Sequence, residues 1–494
     1  MQNSQLTQHA LEIWQAGVQA VTPSRLFRDK VRLEGTCLVV EHVELELSGV
    51  RRLVIVGAGK AAAAMAVALQ QEILAQLKVA LPTLELRGWI NAPADTFTAA
   101  DVRSVNPIHL HAARPAGSNS PTQAAVDGTQ RIVELVKDCD ARDRVICLLS
   151  GGGSALLVAP AEGVTLADKQ SVAHSVAAAG GNIEQLNAVR RPLSLVKGGG
   201  LARACRAARM LTLIISDVLG DPLEAIASGP THWQPTLASR ASNSRARDSR
   251  APKIEADIRT GAGRALAVLQ QLGLIDSAEL TGAVQALRQQ QSQLRALPHD
   301  VTTPCVVDNI ILGNNADAVD AAGVKAVELG YRYVMQSARG VEGDVMHVAQ
   351  QATDAIAQLA SQRQIDCWIS GGEPTVKLPQ SAGQGGRNQQ LALAVMREFH
   401  LRTLQPSTSS SRAEPAADLV FLSGGTDGED GPTDAAGAFF DAGVIARAAD
   451  MQLDADDYLA RADAYSFFQQ VGGLLKTGST GTNVCDLRVA VCKH

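Results

Sequence analysis

No apolar run in this 494-residue chain approaches the roughly 18–20 residues that a membrane-spanning helix needs, so no membrane partner is expected. There is no basic excess either. The 45 Lys+Arg stand against 50 Asp+Glu, a formal net charge of −5, which argues against a dedicated nucleic-acid binder. Charged residues are few, 19% against 46% hydrophobic, and this excludes global disorder. The 8 Cys include no CxxC pair, so neither a zinc ribbon nor a thioredoxin-type motif is signalled. Several lie in apolar runs, such as Cys147 in VICLLS and Cys367 in DCWIS, and read as buried thiols in a reducing compartment. The 10 His form no metal-like cluster, and His109 and His111 are expected on a surface loop. The P-loop order GxxxxGK[ST] is missing too, because Lys197 precedes its glycines. The N-terminus lacks a basic stretch followed by an apolar one and reads as an amphipathic helix, not a signal peptide. A mitochondrial presequence would be Arg-rich, whereas the first arginine is Arg25; a cytoplasmic location is expected, with a mitochondrial one as the alternative.

Aromatics are also scarce (3%), but glycine is abundant at 43 residues. Many glycines in a hydrophobic chain suggest tight strand-to-helix turns, where α/β enzymes hold anionic ligands. Short apolar runs at 52–56, 144–149, 211–215, 305–312, 366–369 and 418–422 each end in Gly, Ser or Asp. Continuous rather than alternating apolar runs suit strands buried on both faces. The expected fold is therefore α/β: two domains with Rossmann-like, mainly parallel sheets flanked by helices, divided near Pro298. Residues 236–251 and 405–417 are rich in Ser and Arg without core periodicity and read as surface insertions.

The glycine turns carry the chemistry. Gly57-Ala58-Gly59-Lys60 follows a strand and opens a helix, so its N–H groups are expected to face an anion. The spacing also satisfies GxGxxA, although Lys60 stands where a dinucleotide pyrophosphate usually meets only backbone. Ser150-Gly151-Gly152-Gly153-Ser154 reads as a nest for phosphate oxygens. Asn187, Arg190 and Lys197 lie beside the glycine run that begins at Gly198. Asp217 at a strand end suits Mg²⁺ or a catalytic base, while Asp221 before Pro222 looks like a helix N-cap. Arg387, after a glycine loop, is expected to clamp phosphate or carboxylate with its planar fork. Asp427, Glu429, Asp430 and Asp434 are acids suited to metal binding or hydroxyl activation. The turn 477–483 reads as another oxyanion site. Together these parts are the inventory of phosphoryl transfer.

These blocks resemble the glycerate 2-kinase family with a C-terminal MOFRL domain, a family also labelled hydroxypyruvate reductase. The resemblance rests on VGAGKAAAAMA, LLSGGGSALL, LNAVRRPLSLVKGGGLA, LIISDVLGDPLEAIASGPT, LGNNADAV, SGGEPTVKL with GGRNQQLALA, FLSGGTDGEDGPTDAAGAF and TGSTGTNV, from about residue 52 to 485. It implies an N-terminal kinase domain over 1–298 and a MOFRL-type domain over 299–494, with the active site in the cleft between them. It also implies transfer of phosphate from ATP, with Mg²⁺, to the 2-hydroxyl of D-glycerate. Lys60 and Arg387 would bind the substrate carboxylate or the moving phosphoryl group. Asp217 and Asp427 would divide metal binding and hydroxyl activation. Gly57, Gly59, Ser150, Gly151, Gly152, Gly153, Ser154, Asn187, Arg190, Lys197, Gly198, Asn315, Glu373, Asn388, Thr482 and Asn483 would contact substrate or nucleotide. Ser479 stands where the family usually has Pro. An NAD(P)H-dependent hydroxypyruvate reductase is the alternative, motivated by GxGxxA, and a non-catalytic sugar-acid or nucleotide sensor is a third reading. The sequence does not fix the oligomeric state; a homodimer is one option.

Overall fold

The computed structural model describes residues 2–115, 120–233, 261–293, 305–338, 340–362, 366–404 and 418–493. Residues 236–251 and 405–417, read as insertions, and the expected boundary at Pro298 lie outside these. The chain forms two compact units. The first comprises Phe27–Ile214 and Pro222–Leu312; the second comprises Met1–Leu26, Ile215–Asp221 and Gly313–His494.

In the first unit β1 (Val31–Glu34), β2 (Cys37–Val40) and β3 (Val43–Glu46) form a small antiparallel sheet. The main sheet contains β4 (Arg52–Ala58), β5 (Glu85–Pro93), β6 (Ile108–Arg114), β7 (Asp143–Ser150), β8 (Arg209–Ile215) and β9 (Val306–Gly313), in the order β6-β5-β4-β7-β8-β9. β4 runs parallel to β5 and to β7, and β5 parallel to β6. The chain steps outward from β4 to β6, then returns to continue beside β4 at β7. This is the Rossmann order, and its switch point falls between β4 and β7, where ligands belong beyond the carboxyl ends. The strands end there at Ala58 and Ser150. β4 is buried throughout, as its continuous apolar run requires. At the opposite end of these strands the buried Asp143 carboxylate takes hydrogen bonds from Arg51 and Arg52. Helices Leu166–Ala178, Ile183–Arg190, Gly261–Gln271 and Thr281–Gln293 pack around Val172, Val189, Leu269 and Leu287.

The second unit holds β10 (Tyr333–Gln336), β11 (Cys367–Gly372), β12 (Asp418–Gly425), β13 (Gly437–Phe440), β14 (Leu474–Leu475) and β15 (Asp486–Lys493), in the order β10-β11-β15-β12-β13-β14. Only β10 and β11 pair in parallel; β15 lies antiparallel between β11 and β12, and β12–β13 and β13–β14 are antiparallel. The α/β class holds, but this sheet is not mainly parallel as expected. A continuous apolar run reports burial on both faces, and helices cover both faces here without dictating strand direction. Helix Gln2–Ala20 buries Leu6, Ala10, Ile13, Trp14 and Val18 against one face. Helices Val345–Gln362, Arg387–Leu404 and Ala464–Val471 cover the other, around Leu391, Val395, Phe467 and Phe468.

Two local expectations need correction. His109 and His111 are on β6, not a loop, and their rings pack against Trp89 at 4.1 and 5.3 Å. Asp221 is not a helix N-cap: its φ is +54°, and its carboxylate accepts a hydrogen bond from Asn314 Nδ2 at 2.6 Å. Among the described residues no helix is long and apolar enough to cross a membrane.

Candidate active site

In the first unit the site is built where β4 and β7 end. Gly59 has φ +150°, and a Cβ there would lie 2.1 Å from Ser150 Oγ. Glycine is required because the two turns lock together. Lys60 N donates to Gly151 O at 2.7 Å and Ala61 N to Ser150 Oγ at 2.9 Å; Gly59 N donates to Asn91 O and Ala62 N to Gly59 O. The loop from Gly57 therefore does not offer these N–H groups to an anion, as the sequence suggested, but gives them to protein acceptors. What it presents is the Lys60 side chain, which runs past Gly152: a Cβ on Gly152 would sit 3.3 Å from Lys60 Cγ.

Beyond Gly153 the chain enters the short helix Gly153–Leu156, which carries Ser154. Ser154 Oγ lies 2.8 Å from Ser228 Oγ and accepts from Arg190 Nη2 at 3.1 Å. Lys197 Nζ donates to Ser154 O at 3.0 Å and to Ser228 Oγ at 3.3 Å. Asn187 Oδ1 accepts from Arg190 Nε at 2.7 Å and from Ser228 Oγ at 3.1 Å. Asn187, Lys197 and Ser228 are buried. Gly198 N donates to Ser228 O, so this N–H is taken within the protein. Ser228 was missing from the sequence-derived set. It and Ala227 adopt left-handed φ of +66° and +49°, a strained arrangement for non-glycine residues that often marks functional sites.

The electrostatics of this cluster are one-sided. Burial, then the charges of Arg190, Lys169 and Arg191, push the Lys197 ammonium well below the ordinary lysine range. Burial, then Arg190, lowers Lys169 to about 8; burial, then Arg191, lowers Arg190 to about 10. Among the described residues no carboxylate acts on these three groups. Buried cations without a counter-ion are costly, and an anionic ligand would relieve that cost.

In the second unit the two Ser-Gly-Gly strand ends converge: Gly372 of β11 and Gly425 of β12 both pair with Asp486 of β15. Arg387 opens a helix and grips the buried Asp486 carboxylate with two bonds, Nε at 2.8 Å and Nη2 at 3.0 Å; Nη1 donates to Glu373 Oε1 at 2.9 Å. Its fork, expected to clamp substrate, thus faces two protein carboxylates. Asn388 Nδ2 also donates to Asp486, and Asn388 Oδ1 accepts from Ser423 Oγ. The buried Asp430 accepts from the N–H groups of Asn388 and Gln389, and burial pushes its carboxyl up to about 7. Burial, opposed by Arg387 and reinforced by Asp486 and Asp217, raises Glu373 to about 7. Its side chain remains 43% exposed, so solvent tempers that push. Asp434 is taken by Tyr465 and Lys476. Of the four clustered acids, Asp430 and Asp434 therefore have structural work. Asp427 is partly exposed, and its Oδ1 accepts from Glu429 N.

Cys485, with φ +68°, joins these parts. Its Sγ donates to Asp217 O at 2.8 Å, and its carbonyl accepts from Thr426 N, beside Asp427. Asn315 Nδ2 ties Val484 O and Asp486 O, while Thr482 Oγ1 donates to Val21 O; both brace the fold. Asn483 Oδ1 accepts weakly from Cys485 N at 3.4 Å. Sequence reasoning missed Asp486, Cys485 and Glu342. Glu342 pairs with the buried Arg488 and accepts from Glu373 N at 2.7 Å. Partners so far apart in sequence leave no local signal.

A cationic cluster around the buried Lys197 in one unit, and a carboxylate-rich cluster in the other, suit an α/β enzyme for small anionic substrates. The profile described as Domain of unknown function (DUF4147) matches residues 9–260, and that of the MOFRL family matches residues 366–486. A glycerate kinase of Rattus norvegicus is 34% identical over 537 residues, covering 98% of this chain and 93% of that protein. A D-glycerate 2-kinase of Thermotoga maritima is 29% identical, covering 98% and 97%. The crystal structure of a glycerate kinase from Thermotoga maritima matches with a TM-score of 0.72 at 27% identity, covering 99% of this chain and all of that one. The chain belongs to the glycerate kinase family.

Proposed function

We propose that the protein transfers the γ-phosphoryl group of ATP to the 2-hydroxyl of D-glycerate, giving 2-phospho-D-glycerate and ADP. The observation that carries this reading is the contact of Arg190 with Ser154 beside the buried Lys197, where among the described residues no carboxylate acts on Arg190. A hydroxy acid brings a compact carboxylate suited to it, and Arg190 supplies a directional fork. Lys60 neutralises charge on the moving phosphoryl group, a role in which positioning and charge do most of the catalysis.

Mg²⁺ takes few protein carboxylates and fills the rest of its shell with phosphate oxygens and water. Asp217 and Asp427 suit it: both are partly exposed and both flank Cys485. Among the described residues there is no group of three or more His, Cys, Asp or Glu that could hold a metal ion. Bound there, Mg²⁺ would offset the negative charge of the phosphates. Arg387, held by Asp486, fixes the position of Glu373 beside Asp217.

Nothing in the glycine loop favours hydride transfer. The close approach at Gly59 is used by Ser150, where a dinucleotide fold would admit pyrophosphate. A coupled assay separates the readings. ADP release that requires both D-glycerate and Mg²⁺ supports the kinase; NADH or NADPH oxidation with hydroxypyruvate, and no ADP release, overturns it.

A further inference from the structure

Phosphorylating a hydroxyl releases its proton, and the cluster around Ser154 contains an acceptor that is not a carboxylate. Three polar atoms lie in series: Ser154 Oγ is 2.8 Å from Ser228 Oγ, which accepts from Lys197 Nζ at 3.3 Å while its own proton rests on Asn187 Oδ1 at 3.1 Å. Ser154 is the partly exposed end of the series, while Ser228 and Lys197 are buried. Arg190 Nη2 donates to Ser154 Oγ, leaving the Ser154 proton to point along the chain toward Ser228. The left-handed backbone of Ala227 and Ser228 holds the middle hydroxyl between its neighbours, a strained conformation for non-glycine residues.

We propose that Lys197 is the terminal proton acceptor of the phosphoryl-transfer step, reached through Ser154 and Ser228. The proposal rests on the kinase reading above and goes beyond it by naming the base. In the step, a bond forms between the substrate oxygen and the γ-phosphorus, and the bond from that phosphorus to the β–γ bridging oxygen breaks, its electron pair leaving with ADP. The substrate hydroxyl proton passes to Ser154 Oγ as the Ser154 proton passes to Ser228, and the Ser228 hydroxyl, turning from Asn187 Oδ1, gives its proton to Lys197 Nζ. The products are the phosphate ester, ADP and a lysine ammonium.

The surroundings of Lys197 suit a neutral amine. The charged groups acting on it are Arg190 and Arg191, from helix Ile183–Arg190 and the turn after it, and Lys169, from helix Leu166–Ala178; all three are cationic. Like charges and burial both disfavour the ammonium. Asp217 and Asp427 are then left to bind metal.

The test is the pH dependence of kcat, measured with saturating ATP, Mg²⁺ and D-glycerate, for wild type, Lys197→Arg and Ser228→Ala. The expected wild-type profile falls on the acid side as an amine protonates. Lys197→Arg stays protonated and cannot accept a proton, so kcat should fall at least 100-fold and the acid limb should disappear. Ser228→Ala should lower kcat at least tenfold with less than a threefold change in the D-glycerate KM, and Ser228→Thr should restore part of it. If Lys197→Arg fails to fold, judged by its melting temperature, the Ser228 pair decides alone. An unchanged acid limb in folded Lys197→Arg, or a loss confined to KM in Ser228→Ala, overturns the relay while leaving the kinase reading intact. Absence of D-glycerate-dependent ADP release by wild type overturns both.

Discussion

Lys197 Nζ donates to the Ser154 carbonyl oxygen across 3.0 Å, tying the glycine turn after β7 to the segment before Gly198-Gly199-Gly200. Two glycine runs far apart in sequence thus meet through one buried lysine. The runs serve this meeting: the Gly198 N–H goes to Ser228 O, and the Ser150–Gly151 turn receives the N–H groups of Lys60 and Ala61. Glycine here lets backbone approach backbone.

Lys60 lies at the end of its loop with its backbone N–H already committed to Gly151 O. Lys60→Ala should therefore leave the melting temperature within about 2 °C and lower kcat by about 100-fold or more, as loss of a charge contact to a transferring phosphoryl group does. Thermal melts paired with steady-state kinetics check both halves.

Gly59→Ala should fail in folding, not chemistry. Its Cβ would lie 2.1 Å from Ser150 Oγ, 2.7 Å from Ser150 O and 2.8 Å from Ser150 N, so the two strand ends would have to part. A cost of about 2–4 kcal/mol is expected from overpacking plus backbone strain. Gly35→Ala is the control: φ is +64° with nothing within 4 Å of the new Cβ, so strain alone remains, about 1 kcal/mol. Urea midpoints of the two variants should differ in that order.

Arg387→Ala removes the partner of a fully buried carboxylate, Asp486. Breaking a buried pair costs about 3–5 kcal/mol, so this variant should lose stability as well as turnover. Arg387→Lys keeps the charge but not the two-pronged contact, and it should retain most of the stability while kcat stays depressed. Equal melting temperatures for wild type and Arg387→Ala would contradict the placement.

Asp143 sets the acid limit of the first unit. Burial alone would raise its carboxyl, but hydrogen bonds from Arg51 and Arg52 outweigh this and hold it well below the usual carboxylate range. A depressed folded value contributes stability above the unfolded carboxylate range, about pH 4, and loses it as pH falls further. Melting temperature should therefore drop below about pH 4, and Asp143→Asn should start lower and decline less.

Asp430 carries the opposite sign. Its folded carboxyl is pushed up to about 7, against an unfolded value of about 4, so its contribution declines as pH rises between the two. Asp430→Asn should flatten that part of the stability profile, read by melts from pH 4 to 8.

Much of the first unit was legible because its central strands are continuous apolar runs ending at glycine. RLVIV and RVICLL became β4 and β7, and their ends became the switch point. β15 was missed because Arg488 interrupts DLRVAVC; the structure neutralises that buried arginine with Glu342, 146 positions away. Strand direction in the second unit was not legible, since apolarity reports burial alone. Among site residues, Lys197, Arg190, Ser154 and Arg387 were visible as polar groups beside glycine. Ser228 was not, because nothing in a serine announces a left-handed backbone. Asp486 was hidden because its partner Arg387 is 99 positions distant.

The most direct test of the central claim is phosphorus NMR of the product made by wild-type enzyme from ATP, Mg²⁺ and D-glycerate. The account predicts one new phosphate monoester, on the oxygen of C2, formed in step with ADP. A phosphate on C3, or ADP formed with no D-glycerate-derived ester, would contradict it.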